Sequence, residues 1–118
     1  LTAVEIKHLA EISNLSISET ISRLNKAGLN SIPGGGAEIL VDEIRDVICK
    51  GKESSDEYIE IHKTAHQLKI PTNCTMLFGT VETTLHRMIH LDKLRTLQDE
   101  TKGFQCFVPY PYLPNNVR

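Results

Sequence analysis

TNCTMLFGTVETTLHRMIHLDKLRTLQDETKGFQCFV, residues 72–108, is the stretch whose reading decides the fold. It opens on a short β-prone run at 72–78 closed by Gly79 and ends on a second at 104–108 closed by Pro109. Between them Leu85, Met88, Ile89, Leu91, Leu94 and Leu97 recur at helical spacing, which predicts one long helix over 81–98 with those side chains inward. Strands separated by that much helix cannot be hairpin partners, so they are expected to lie parallel, joined by a right-handed crossover.

Upstream, residues 29–32 predict a third strand. Three S/T-x-x-E patterns, Thr2 with Glu5, Ser16 with Glu19 and Ser54 with Glu57, mark helix starts at which hydroxyl and carboxylate satisfy first-turn N–H groups. Ile6, Leu9 and Ile12 give the first helix its apolar face, and Ile17, Ile21 and Leu24 the second, which Gly28 caps. Helical spacing returns at Leu40, Ile44, Val47 and Ile48, then at Ile61, Ala65 and Leu68. The expectation is an α/β unit over 1–118: a helical hairpin over 1–28, then βα units over 29–118, about three parallel strands with flanking helices. Such a set is either a small open sheet or part of a (β/α)8 barrel, which takes about 250 residues.

Composition narrows the function classes. A chain of 118 residues with 40% hydrophobic content can bury a core, and 15 acids against 13 bases give a net charge of -2. With no basic run and six aromatics, nucleic acid is an unlikely partner. No apolar run approaches the roughly 20 residues that span a bilayer, and the first residues lack signal-peptide order, so a cytoplasmic location without membrane association is expected. Cys49, Cys74 and Cys106 are odd in number and widely spaced, which fits reduced thiols better than a disulfide framework. Because the chain starts at Leu1 with a helix signal already under way, it is expected to be a piece of a longer protein.

In parallel α/β proteins ligands gather at the carboxyl ends of strands, here PGGGAE, FGTVE and VPYPYLPNN. Gly34, Gly35 and Gly36 suit either a plain tight turn or a backbone cradle, and Glu38 either a ligand contact or a favourable charge in the first turn of a helix. The stretch is neither a Walker loop nor GxGxxG. Glu82 has the same two readings after Gly79. The proline-rich 109–116 segment is expected to form a loop rather than a strand. His62 with His66 and His86 with His90 have metal-compatible i, i+4 spacing, but neither pair includes the glutamate of HExxH, and solvated or partly packed histidines are the simpler reading. No nucleophile with an adjacent base is visible, so no catalytic residue and no metal ligand is assigned.

Taken together, GLNSIPGGGAEIL (28–40), TNCTMLFGTVET (72–83) and LRTLQDETKGFQCFVP (94–109) resemble a branch of the radical S-adenosylmethionine enzymes. The branch comprises the futalosine-pathway synthases of menaquinone biosynthesis and the deazaflavin-forming synthases. ICKGK (48–52) and EIHKTAHQLKIPTNCTMLFG (60–79) look most like aminofutalosine synthase. The resemblance implies a barrel whose upstream Cys-x3-Cys-x2-Cys loop, absent here, holds a 4Fe-4S cluster and cleaves S-adenosylmethionine to a deoxyadenosyl radical. In aminofutalosine synthase that radical adds to 3-(1-carboxyvinyloxy)benzoate; in the alternative, cyclic dehypoxanthine futalosine synthase, it abstracts hydrogen and drives ring closure. It further implies that Gly34, Gly35, Gly36, Glu38, Met76 and Gly79 face the cofactor and Thr80, Glu82, Tyr110 and Asn115 the substrate. Relatives commonly carry His at Thr80 and Gly at Lys102. A middle fragment of this kind is expected to bind no cofactor alone, to be inactive, and to self-associate through its open edges. A reading from another class is an interaction domain that binds metal through the histidine pairs.

Overall fold

The computed structural model describes residues 1–112. Its elements run α1 (Ala3–Ser13), α2 (Ile17–Lys26), α3 (Asp42–Ile48), α4 (Ser55–Gln67), β1 (Thr72–Phe78), α5 (Thr84–Thr101) and β2 (Phe104–Pro111). β1 and β2 pair in parallel, from Thr72 opposite Phe104 to Phe78 opposite Pro111, with α5 as the crossover. The register slips by one residue after Thr72. There the Gln98 amide bonds the main chain of Phe104 twice, at 2.9 and 3.3 Å, so a helix side chain stabilises the start of the strand. The α/β class and the parallel pair agree with the sequence reading.

Four expectations are corrected. Residues 29–32 form no strand but a single parallel bridge, Ile32 to Thr72, because Pro33 follows and has no N–H to continue a ladder. The helix after the glycines begins only at Asp42, so Glu38 is not in its first turn; it sits in left-handed backbone at φ 48°. β2 runs on through Pro109 to Pro111, which an edge strand tolerates. Finally, α5 turns Leu94 and Leu97 inward together with His90, while Leu85, Met88 and Leu91 are exposed.

Helix starts follow the predicted chemistry. Thr2 N–H donates to Glu5 at 2.9 Å, and Ser54 and Glu57 bond reciprocally at 2.9 and 3.1 Å. Ser16 accepts from the Glu19 N–H, but the Glu19 carboxylate pairs with Arg23 instead. A further reciprocal cap, Thr83 with His86, went unpredicted because the third position holds His rather than Glu or Gln. The main core joins Ile6, Ile21, Tyr58, Ile61, Ile70 and Leu94; a smaller one packs Met76 between Ile39 and Ile44.

Three histidines are structural. Leu40 N–H donates to His90 Nδ1 at 2.9 Å, which leaves Nε2–H to donate to Thr75 O at 2.8 Å. The Thr101 hydroxyl donates to Leu97 O, so it accepts from His66 Nδ1–H; His66 Nε2 then accepts from Thr72, whose oxygen accepts from His62 Nδ1–H. The Leu40 N–H makes the His90 ring neutral, and burial favours the neutral form of His62 and His66; of the two readings, solvated or partly packed, these three rings follow packing and go further, being buried. Burial pushes His62 down to about 3, helped by His66, and His90 down to about 4; His66 is lowered by the same cause. Gly103 is required beside this chain, since a Cβ there would stand 2.2 Å from the His66 ring.

These folded-state values lie below the ordinary 6.5 of an unfolded histidine, so stability is complete above that pH and is lost as pH falls toward 4. Each proton taken up on unfolding contributes a slope of about 1.4 kcal/mol per pH unit. Urea midpoints measured between pH 7.5 and 4.5 are expected to fall steeply below pH 6.5, and less steeply in His90→Gln. A flat profile would rule out the neutral buried histidines.

Candidate functional site

The site forms where two segments meet at the carboxyl end of β1. After the Ile32 bridge, residues 32–38 run along the edge of β1 opposite β2: Asn73 N–H donates to Ile32 O at 3.0 Å, and Leu77 N–H to Glu38 O at 2.8 Å. This irregular segment takes the place of the expected third strand. Gly34 is pressed on β1 so closely that a Cβ would sit 2.7 Å from Cys74 Cα; at Gly36 (φ 95°) it would meet Glu53 Oε1 at 2.9 Å. On that side the glycines therefore accommodate protein, not a ligand.

The carbonyls of this segment are tied inward. Gly34 O accepts from Tyr58 and Thr75 hydroxyls, each at 2.7 Å, Gly36 O and Ala37 O from Arg45, and Leu40 O from Lys93 at 2.6 Å. By contrast the amides of Gly35, Gly36 and Glu38 meet no acceptor among the described residues. Glu38 is partly exposed, and its carboxylate has one cationic neighbour, Lys52, at 3.7 Å. This rim offers hydrogen-bond donors from its backbone and one carboxylate acceptor.

The second rim follows β1. Glu82 accepts from Gly79 N–H (2.8 Å), Thr80 N–H (3.0 Å), the Thr80 hydroxyl (2.8 Å) and Arg87 Nε (2.8 Å). Burial alone would raise its pKa, but the Gly79 amide, the Thr80 hydroxyl and Arg87 outweigh it and hold the carboxyl down at about 2. Arg87 also lies over the Phe78 ring, 5.3 Å from its centre. The Tyr112 N–H donates to Phe78 O at 2.8 Å, bringing β2's end beside Gly79.

Of the residues singled out from sequence, Glu38, Gly79, Thr80 and Glu82 fall on these rims. Tyr110 is exposed opposite Leu77. Met76 is buried against Ile39 and Ile44, behind the segment rather than facing open space. Asn115 lies outside the described residues. Arg45, Tyr58, Thr75 and Lys93, which hold the segment, were missed, and His90 was singled out only for its spacing from His86, not for its bond to Leu40.

No group of three His, Cys, Asp or Glu side chains able to hold a metal occurs among the described residues. Cys49, Cys74 and Cys106 are free thiols that follow α3, lie in β1 and lie in β2 respectively, and burial pushes Cys74 up to about 12. These residues do not fit an iron–sulfur cluster, which needs converging thiolates. No helix among them is long and apolar enough to cross a membrane.

If Glu82 organises its rim by charge-assisted bonds, Glu82→Gln, which turns one acceptor oxygen into a donor against the Gly79–Thr80 amides, costs about 1–3 kcal/mol at pH 7. Because the folded pKa is depressed, the difference from wild type is full above pH 5 and disappears as pH falls through 2. Chemical denaturation of both proteins checks it.

No protein-family model matches the chain. It is 48% identical over 114 residues to aminodeoxyfutalosine synthase of Thermus thermophilus, covering 97% of this chain and 31% of that protein. Cyclic dehypoxanthine futalosine synthase of Streptomyces coelicolor is 45% identical over 98% of the chain and 29% of its own length. The 5-amino-6-(D-ribitylamino)uracil–L-tyrosine 4-hydroxyphenyl transferase of Methanothermobacter thermautotrophicus is 44% identical over 93% and 30%. The chain thus spans about 30% of the length of these curated relatives, and over nearly all of its own residues it is a homologue of this branch of the radical S-adenosylmethionine enzymes.

Proposed function

We propose that the chain is a section of an aminofutalosine synthase, part of a (β/α)8 barrel, and that its two rims hold S-adenosylmethionine and part of the substrate. The observation that supports this most directly is the polarity of the 34–38 segment: among the described residues the carbonyls of Gly34, Gly36, Ala37 and Glu38 are bonded, the amides of Gly35, Gly36 and Glu38 meet no acceptor, and the Glu38 carboxylate is bonded to no N–H or O–H. A donor-rich backbone beside one acceptor carboxylate suits a ligand bearing both ring nitrogens and hydroxyls.

In this reading the Gly35 and Gly36 amides donate to the adenosyl portion, and Glu38 accepts from ribose hydroxyls or the adenine amine. Gly34 and Met76 hold the segment from behind. Gly79 lets the second rim approach, Glu82 fixes Thr80, and Thr80, Tyr110 and Asn115 lie on the substrate side. When bound against a 4Fe-4S cluster held outside these residues, the cofactor supplies the carbon radical. What this section contributes is binding, orientation and exclusion of water.

The test is the full-length protein, reconstituted anaerobically with iron and sulfide and given S-adenosylmethionine with 3-(1-carboxyvinyloxy)benzoate. Aminofutalosine, identified by mass spectrometry, is the expected product; cofactor cleavage without it would move the assignment to the cyclic dehypoxanthine futalosine synthase reaction. Glu38→Ala is expected to weaken S-adenosylmethionine binding about tenfold or more, the worth of one hydrogen bond to a charged group. Unchanged affinity would remove Glu38 from the cofactor site.

We also propose that the section alone is inactive and self-associates, supported by the exposed ridge of Leu85, Met88 and Leu91 on α5 and by exposed Phe107 on β2. Small-angle scattering is expected to give a mass above that of one chain; a compact monomer at all concentrations would overturn this.

A further inference from the structure

We propose that Arg45 is a positioning residue whose guanidinium sets the orientation of the Gly36–Glu38 peptides and so aims the Glu38 amide and side chain into the site. The inference rests on the cofactor reading above, and adds to it the residue that makes the segment competent.

Arg45 lies in the short helix α3, 3% exposed, and it spends its donors on main chain. Nη1 donates to Ala37 O, Nη2 to Gly36 O at 3.2 Å and to Glu53 O at 2.6 Å, and Nε to Glu53 O at 3.1 Å. Two successive carbonyls of the glycine segment are thus drawn to one planar fork, together with a carbonyl from the connection between α3 and α4. In a planar trans peptide the C=O and the following N–H point in opposite directions. Fixing Gly36 O and Ala37 O therefore fixes the N–H groups of Ala37 and Glu38 on the far side from Arg45, and together with the bond from Leu77 N–H to Glu38 O it holds the left-handed backbone of Glu38 (φ 48°).

The buried charge is balanced by Glu53, but not held by it. Glu53 Oε1 stands 3.6 Å from Nη2, and neither carboxylate oxygen finds a hydrogen-bond partner among the described residues. That carboxylate instead fills the space a Cβ would need at Gly36. An arrangement made for an ion pair would align the carboxylate with the fork; here the fork faces peptide carbonyls. A lysine retains the charge, but it cannot present several donors in one fixed plane.

The proposal is tested on the full-length, cluster-loaded protein with Arg45→Lys, Arg45→Gln and Glu38→Ala. S-adenosylmethionine affinity is read by equilibrium binding, and amide hydrogen exchange over residues 36–40 is read without ligand. Arg45→Lys is expected to weaken affinity at least tenfold and to speed exchange at 36–40, with iron content unchanged. Its KM for S-adenosylmethionine rises while kcat at saturation stays near wild type. Wild-type affinity in Arg45→Lys overturns the proposal, as does global unfolding of both Arg45 variants, which would make Arg45 a residue that holds the fold. Weakened binding in Arg45→Lys with unchanged binding in Glu38→Ala keeps the positioning role and removes Glu38 from the cofactor reading instead.

Discussion

The approach of Gly34 to the main chain of Cys74 is the contact on which the rest depends. With a Cβ excluded at 2.7 Å, residues 32–38 can lie against β1 without being a regular strand, and two hydroxyls, from Tyr58 on α4 and Thr75 on β1, converge on the one carbonyl of Gly34. Three elements are thereby registered on one peptide. Had the segment continued as a ladder, alternate residues would have given both carbonyl and amide to β1; because Pro33 ends the ladder after one bridge, side chains supply the donors to the Gly34, Gly36 and Ala37 carbonyls instead. An irregular edge is what separates a structural strand from a donor-bearing rim.

The same segment explains the behaviour of α5. Its inner face is not its most apolar one: His90 and Lys93, one turn apart, bond the N–H and C=O of Leu40, while Leu85, Met88 and Leu91 face outward. Turning the helix over would bury Leu85, Met88 and Leu91 but expose Leu94 and Leu97, so the net apolar gain is that of about one large side chain, roughly 1.5–3 kcal/mol. Leaving the Leu40 N–H and C=O buried and unbonded costs at least as much, about 1–3 kcal/mol for each of these two polar groups. The two bonds to Leu40 therefore suffice to hold the observed rotation.

Much of the fold was legible because it follows from local rules. The 72–78 and 104–108 runs, the intervening helix and the capping boxes at Thr2 and Ser54 are short-range signals, and parallel pairing follows from the connection alone. What failed was long-range. Nothing local says that Pro33 stops a ladder after one bridge, that His62 and His66 point into the core at Thr72, or that α5 turns a histidine inward in place of Leu91. Arg45 was unreadable for the same reason: among Asp42, Glu43 and Asp46 it looks like one more surface charge of a short helix. Its partners are carbonyls, which every residue has, so no side-chain pattern marks them. For the candidate site, strand-end position identified Glu38 and Glu82, but not that Glu82 spends three bonds on its own loop and a fourth on Arg87 of α5.

The two rims obey one rule with opposite signs. On the first, a buried cation and several hydroxyl or ammonium donors tie off carbonyls, leaving the amides of Gly35, Gly36 and Glu38 without acceptors among the described residues. On the second, a screened anion, Glu82, ties off the amides of Gly79 and Thr80, and the carbonyls of those two residues meet no donor among the described residues. In each case a charged side chain is drawn from water to tie off main chain, Arg45 with all its hydrogen bonds and Glu82 with two of its four, which costs desolvation that burial of apolar groups would not. The return is a pair of rims near the end of one strand, one carrying unpaired backbone donors and the other unpaired backbone acceptors, so that what each can bond is set by the direction of hydrogen bonding rather than by net charge.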